Sequence, residues 1–262
     1  ILDEHTSVLT PDEIKNIFNI IGNLVQDNLT VIFISHKLEE IINLSDRVTI
    51  LRGGEVVDTL ITKNENPDSL GLKMLGYKIA KLKRNKVEDN SKVLFSLNNI
   101  STFNQDPFSI NLKNINFSLK TGQILGIAGV AGNGQNELME IFLNENNDNF
   151  NGDVIFKNQN INQLSTQDRK RLSISYVTEQ RLGHSAVPEM SLTENVLLSM
   201  SHNNKFIKNN LINFKEISNH TDKIIKKFNV NAPSNLSKAS QLSGGNLQKF
   251  IIGREILSNP EL

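Results

Sequence analysis

Leu242-Ser243-Gly244-Gly245-Asn246-Leu247-Gln248-Lys249 runs directly into residues 250–257, whose apolar spacing is helical. A helix start carries unpaired backbone N–H groups and the positive end of the helix dipole. A serine followed by two residues without side chains lets hydroxyl and backbone close directly on a phosphate there. The alternative is an ordinary Ser-Gly-Gly helix cap. From average residue usage, Leu-Ser-Gly-Gly arises by chance in a chain of this length in about one case in a hundred, which favours the phosphate reading.

Working outward, 262 residues suggest two modest domains, and 38% hydrophobic with 21% charged residues lets each bury a core. Lys plus Arg and Asp plus Glu both number 28, so no one-sign field draws the chain onto nucleic acid or an anionic membrane. Cysteine is absent, which removes disulfides and thiolate metal sites. The longest apolar runs, 31–34 and 124–130, fall far short of the ~20 residues of a membrane-spanning helix. Ile1-Leu2-Asp3-Glu4 at one end and Ser258-Asn259-Pro260-Glu261-Leu262 at the other read as cut ends of a longer chain.

Residues 11–25 carry Ile14, Ile17, Phe18, Ile21, Leu24 and Val25 at helical spacing, with Thr10 and Glu13 as a capping box. A buried strand is expected at 30–35, a helix at 37–44, and a hairpin from 47–51 through Gly53-Gly54 into Val56-Val57. Residues 61–92 read as a linker with a short helix near 70–75. Its basic run Lys81-Leu82-Lys83-Arg84-Asn85-Lys86 lacks interleaved aromatics and is read as solvated linker rather than a nucleic-acid patch. Beyond it, strands are expected at 93–97, 115–119, 123–130 (buried), 153–156 and 173–177. Helices are expected at 137–143, 192–200 and 222–228, with a polar loop at 144–151. No internal repeat is visible.

The Leu242–Lys249 stretch resembles the signature motif of ABC-type ATPases, and its Asn246-x-Gln248-Lys249 continuation resembles the tandem ATPases of sugar and nucleoside importers. Ile1-Leu2-Asp3-Glu4 looks like the end of that family's Walker B strand. The resemblance implies that Asp3 holds the Mg²⁺ shell and Glu4 polarises the attacking water. Read without it, two acids before a helix are merely favourable N-terminal charges. Ser7-Val8-Leu9-Thr10-Pro11 resembles the D-loop, and Val31-Ile32-Phe33-Ile34-Ser35-His36 the strand ending in the switch histidine, so His36 would contact the γ-phosphate. A lone histidine at a strand end is otherwise a surface or core residue. His5 departs from the family's proline and leaves the aim of Glu4 open.

Gly129-Val130-Ala131-Gly132-Asn133-Gly134-Gln135-Asn136 stands where a P-loop, Gly-x-x-x-x-Gly-Lys-Ser/Thr, would stand, with Gln135 and Asn136 in the lysine and hydroxyl positions. Its backbone could still cradle phosphates, with little or no hydrolysis expected; a plain glycine-rich turn is the alternative. The same replacement resembles the degenerate second half of the tandem importers. Glu179, in Tyr176-Val177-Thr178-Glu179-Gln180-Arg181, stands where the family carries the glutamine that senses the membrane subunit; alone, the stretch is a surface loop.

The resemblance implies an α/β fold of ABC-type P-loop domains, with a mainly parallel core sheet, an antiparallel β subdomain and a helical signature subdomain. Residues 1–60 correspond to the back of a first ATPase domain, 61–92 to a linker, and 93–262 to a second domain up to just before its Walker B. Nucleotide would be sandwiched between Asp3, Glu4 and His36 and the signature residues Ser243, Gly244, Gly245 and Gln248. The lysine-bearing P-loop would lie ahead of Ile1, so residues 1–262 alone would hydrolyse ATP negligibly. The implied cofactors are ATP and Mg²⁺. The implied partners are transmembrane permease subunits and an extracellular solute-binding lipoprotein, the two ATPase halves pairing within one protein at the cytoplasmic membrane face, without nucleic acid. Residues 181–192 look most like nucleoside importers working with basic-membrane-type lipoproteins. Ribose- or galactose-type importers, and from a different class ribosome-associated tandem ATPases, are the alternatives.

Overall fold

A computed structural model describes residues 1–6, 9–77, 91–103, 110–130, 132–144, 150–209 and 211–262. The expected D-loop residues Ser7 and Val8, the basic run 81–86, Ala131 and most of the polar loop 144–151 lie outside the described residues. The chain divides into two units, Ile1–Lys86 and Val87–Leu262.

In the first unit, β1 (Leu2–Asp3) pairs in parallel with β2 (Phe33–Ile34), and α1 (Pro11–Gln26) connects them. The expected capping box forms: the Glu13 N–H donates to Thr10 Oγ1 at 3.3 Å, and the Thr10 N–H donates to Glu13 Oε2 at 2.8 Å. The expected buried strand at 30–35 is corrected. Only Phe33 and Ile34 pair, and Ile32 and Ile34 are 60% and 54% exposed. A parallel strand is buried when other strands flank it and helices cover both faces, and β1 is the only strand paired with β2 among the described residues.

Helix α2 (Leu38–Leu44) leads into the antiparallel hairpin of β3 (Arg47–Arg52) and β4 (Glu55–Ile61). Its two-residue turn needs positive φ at both positions, and Gly53 and Gly54 supply +63° and +87°. Helix α3 (Pro67–Leu75) is capped by Asn66 and Ser69 and stopped by Gly76 at φ +80°. Leu70 of α3 is buried with Ile41 and Ile50 in one core. The short helix expected near 70–75 within the linker thus forms as α3 and packs into the first unit, where the Leu70 side of a Pro-initiated, capped helix supplies apolar cover for the hairpin.

In the second unit, β5 (Val93–Thr102), β6 (Ile115–Lys120), β7 (Phe150–Phe156) and β8 (Gln159–Asn160) form an antiparallel sheet in the order β6-β5-β7-β8. Strand β5 outlasts the expected 93–97 because an irregularity at Asn99, φ +54°, resets the alternation and returns Ile100 to the core. Gly152 faces that irregularity: a Cβ there would lie 2.5 Å from the Asn98 carbonyl oxygen. Helix α4 (Gln135–Leu143) packs Leu138 and Ile141 into this core. Arg169 of α5 (Thr166–Arg171), 2% exposed, donates to the carbonyls of Ile141 and Phe142 near the end of α4 and to that of Ile161. Burial pushes its guanidinium down to about 10.

Two expected strands do not form. Residues 123–130 pair with no strand among the described residues, and Ile124 and Ile127 are 74% and 52% exposed. An apolar run without a neighbouring ladder has no partner for its backbone groups. Residues 173–177 pair with no strand among the described residues; Ile174 packs into the sheet core, while Glu261 N donates to Ser173 O and Ser175 N to Leu262 O, both 2.8 Å.

A second core joins α6 (Leu192–Ser199), α7 (Phe214–Lys227) and α8 (Gly244–Leu257), with a small hairpin of β9 (Ile207–Lys208) and β10 (Leu211–Ile212) ahead of α7. Val196, Ile217, Ile224, Phe250 and Ile251 are fully buried in it. Helix α7 begins well before the expected 222–228, because Asn213 caps it by accepting from the Glu216 N–H. The antiparallel and helical parts of the expected architecture are present; the parallel part is represented by β1 and β2 alone among the described residues.

Candidate functional site

Parallel pairing brings the C-terminal ends of β1 and β2 side by side, with Leu2 opposite Phe33 and Asp3 opposite Ile34. The ladder continues through the Glu4 N–H to the Ile34 carbonyl at 2.9 Å. Glu4 then turns the chain outward with φ +42°, a left-handed conformation that a side chain enters at a cost and that clusters at functional sites. His36 stands just beyond β2, and its Nδ1 lies 2.9 Å from Glu4 Oε1. Both side chains remain more than half exposed, at 55% for Glu4 and 65% for His36. The expected acid and histidine are therefore neighbours, with Asp3 exposed beside them.

A buried polar network that the sequence reading missed supports this pair. Thr6, 1% exposed, donates its hydroxyl to Glu40 of α2, lying 2.7 Å from each carboxylate oxygen. Ser35 donates to the same carboxylate at 3.2 Å, and Lys37 Nζ reaches both the Thr6 carbonyl at 2.8 Å and Glu40 Oε1 at 3.2 Å. The network bolts the residue following the acid turn to the residues flanking His36. Burial alone would raise the Glu40 carboxyl, but the hydrogen bonds from Thr6, Lys37 and Ser35 and the Lys37 charge outweigh it and hold the group below its usual range. The available signal was an acid beside Ile41 on a short apolar helix. His5, in place of the family's proline, sets its ring edge-on to Phe33 at 6.0 Å between centroids, with neither ring nitrogen hydrogen-bonded.

The glycine loop in the second unit has a different character. Gly132 and Gly134 adopt φ +81° and +103°, and Gly134 caps α4. Gln135 folds back into the loop: its Oε1 accepts from the Asn133 N–H at 3.0 Å, and its Nε2 donates to the Val130 carbonyl at 2.9 Å. Asn133 Nδ2 donates to the same carbonyl at 2.9 Å. A Cβ at Gly129 would lie 2.6 Å from Gln135 Nε2, so the glycine makes room for this inward side chain. One backbone donor available for a phosphate is thereby already engaged. Asn136 is exposed in the first turn of α4.

The signature-like stretch opens α8. Ser243 is its N-cap residue and makes no side-chain capping bond to the backbone; its Oγ accepts from Asn246 Nδ2 at 2.9 Å. Ser243, Gly244 and Gly245 are exposed and Gln248 is half-buried, while Leu247, Phe250 and Ile251 fix the helix in the core. A Cβ at Gly245 would meet nothing within 4 Å, whereas one at Gly244 would lie 2.7 Å from Arg181 Nη1. Glu179 is exposed two residues before that arginine, so the loop at 178–181 reaches the start of the signature helix. Arg181 and Gly244 are far apart in sequence, and no local pattern announced their contact.

The family model described as ABC transporter matches residues 112–262. The chain is 30% identical over 262 residues to the nucleoside import ATP-binding protein NupA of Lactococcus lactis subsp. cremoris, covering 100% of this chain and 51% of that protein. It is 34% identical to the guanosine import ATP-binding protein NupO of Bacillus subtilis, covering 100% and 51%. It is 33% identical to the ribose import ATP-binding protein RbsA of Clostridium tetani, covering 100% and 50%. The chain thus spans about half the length of the curated relatives it matches. Among solved structures, the dimeric structure of MJ0796, a bacterial ABC transporter cassette, superposes with a TM-score of 0.53 at 24% identity, covering 64% of this chain and 71% of that one, a likeness of fold. With the acid–histidine pair, the glycine loop and the uncapped Ser-Gly-Gly helix in place, the chain belongs to the ABC transporter family.

Proposed function

We propose that this chain is part of the ATP-binding subunit of a bacterial importer, which hydrolyses ATP to drive uptake of a nucleoside or related solute through membrane permease subunits. The observation that carries the reading is the 2.9 Å contact between Glu4 and His36 at adjoining parallel strand ends. In this reading Glu4 takes the proton of the attacking water, and His36 holds Glu4 in register while facing the γ-phosphate. Ser243, Gly244, Gly245 and Gln248 close on the same triphosphate, their exposed helix start supplying N–H donors. An exposed carboxylate at a strand end fits Mg²⁺, which takes one or two protein carboxylates and completes its shell with phosphate and water, so Asp3 would hold it. The bound cation would neutralise charge on the β- and γ-phosphate oxygens.

The glycine loop, with Gln135 turned inward, binds nucleotide weakly and does not hydrolyse it. Glu179 reports the state of the permease to the signature helix through Arg181. The two ATPase halves pair within one protein at the cytoplasmic face of the membrane, and an extracellular lipoprotein delivers the solute. No described helix is long and apolar enough to cross a membrane, which agrees with a peripheral subunit. The match to the ribose import protein, at 33% identity, keeps sugar uptake as a second reading. Uptake of labelled guanosine and labelled ribose by cells carrying the intact transporter decides between them. Loss of neither uptake when Glu4 is replaced by Gln would contradict the import reading altogether.

A further inference from the structure

A cavity of ≈ 760 Å³ in the second unit opens between α7 and the end of α8, and its rim carries Lys205, Lys223, Lys226, Lys227, His220 and Glu216. The chain as a whole balances its charges, so four lysines against one glutamate is a local concentration. Among the described residues none of these four ammonium groups has an ion pair or hydrogen bond. Lysines in the last turn of α7 suit the negative end of that helix, which accounts for Lys226 and Lys227. It does not account for Lys205, which comes from the turn before β9 and borders the same hollow. Nor does it account for His220, whose Nε2 is buried without a hydrogen-bond partner while Phe206 packs edge-on against its ring at 5.3 Å. Burial first, then Lys223 and Lys205, holds this imidazole below its ordinary range, with Glu216 opposing them. Lys205 and Lys223, without ion pairs and beside an imidazole whose Nε2 is buried and unsatisfied, leave the hollow short of negative charge.

We propose that this cavity binds a phosphate-bearing polyanion, held by Lys205, Lys223, Lys226 and Lys227 with His220 as a hydrogen-bond partner. The site adjoins the C-terminal end of α8, about 20 Å along that helix from Ser243, so it is distinct from the phosphate contact at the signature. The shared chemistry is the phosphate group, whether on a soluble metabolite or on a lipid headgroup.

Calorimetric titration of the full chain with inorganic pyrophosphate, alongside flotation with phosphatidylglycerol and phosphatidylcholine vesicles, tests this. Charge reversal by Lys223→Glu with Lys227→Glu should weaken binding by about tenfold or more. Reversing Lys113 and Lys215, which change the net charge equally but lie off the rim, should leave it unchanged. Glu216→Gln should tighten it by about threefold, a gain that a misfolded variant would not produce. Response to pyrophosphate alone assigns a soluble ligand. Response to phosphatidylglycerol vesicles alone assigns a headgroup, and response to both assigns the phosphate group itself. Binding to neither probe, or equal affinity in the Lys223/Lys227 variant, overturns the proposal.

Discussion

The acid–histidine pair of the first unit and the glycine loop of the second present their polar groups in opposite ways. Glu4 and His36 bond to one another yet remain more than half exposed, and a buried network behind them fixes the backbone on both sides. In the loop, Gln135 and Asn133 spend their side-chain amides on the Val130 carbonyl, and Gln135 also engages the Asn133 N–H. One segment offers its groups to a third party; the other satisfies them internally. Gln135, at the lysine position, takes up the Asn133 N–H, one of the loop donors that a phosphate would otherwise use, and brings no cation to the site.

The sharpest way to break this contrast is at Glu4. In the intact protein, Glu4→Gln should lower the steady-state ATPase rate by about 10²-fold or more while nucleotide binding persists, since a positioned general base contributes 10²–10⁴. Retained hydrolysis would remove the role assigned to the first unit. His36→Ala should follow with about a tenfold to 10²-fold loss, because an acid freed from its partner is misplaced by up to an ångström.

Glu40→Gln tests the support rather than the chemistry. Chemical denaturation of the first unit at pH 7 should register a loss of about 1–3 kcal/mol, from trading a buried carboxylate that accepts several hydrogen bonds for an amide. The Glu40 carboxyl is held below its usual range, so its contribution is complete above the unfolded-state value and is lost as pH falls through the lower folded value. The gap between the natural protein and Glu40→Gln should accordingly close in acid. A gap that persists at low pH would mean the amide harms packing instead.

The smallest effect belongs to the loop. Gln135→Ala should leave hydrolysis within about twofold, because the loop lacks the cation that phosphoryl transfer requires. Opening the Asn133 N–H should still strengthen binding of a fluorescent nucleotide at that loop.

What the sequence disclosed follows the range of the interactions involved. The boxes at Thr10 and Glu13 and the Gly53-Gly54 turn are local, and each stands where its residues required. The proximity of Glu4 and His36 depends on two strands pairing across α1, and only the family resemblance anticipated it. The Thr6–Glu40 bond and the approach of Arg181 to Gly244 join distant positions through packing, so no periodicity carries them. Residues 30–35 and 123–130 show the converse limit. An apolar β-branched run states a preference for a ladder, but its burial is decided by the neighbours it meets. Here Ile32, Ile34, Ile124 and Ile127 stay exposed.

We propose that Glu4 with His36 and the Ser243–Gly245 helix start share one triphosphate in the intact protein. Cryo-electron microscopy of the intact Glu4→Gln protein trapped with ATP and Mg²⁺ examines it directly. The expected map has the γ-phosphate within hydrogen-bond distance of His36 and of Ser243, with Asp3 in the cation's shell. A map in which Ser243 faces solvent while nucleotide occupies the acid–histidine pair would contradict it.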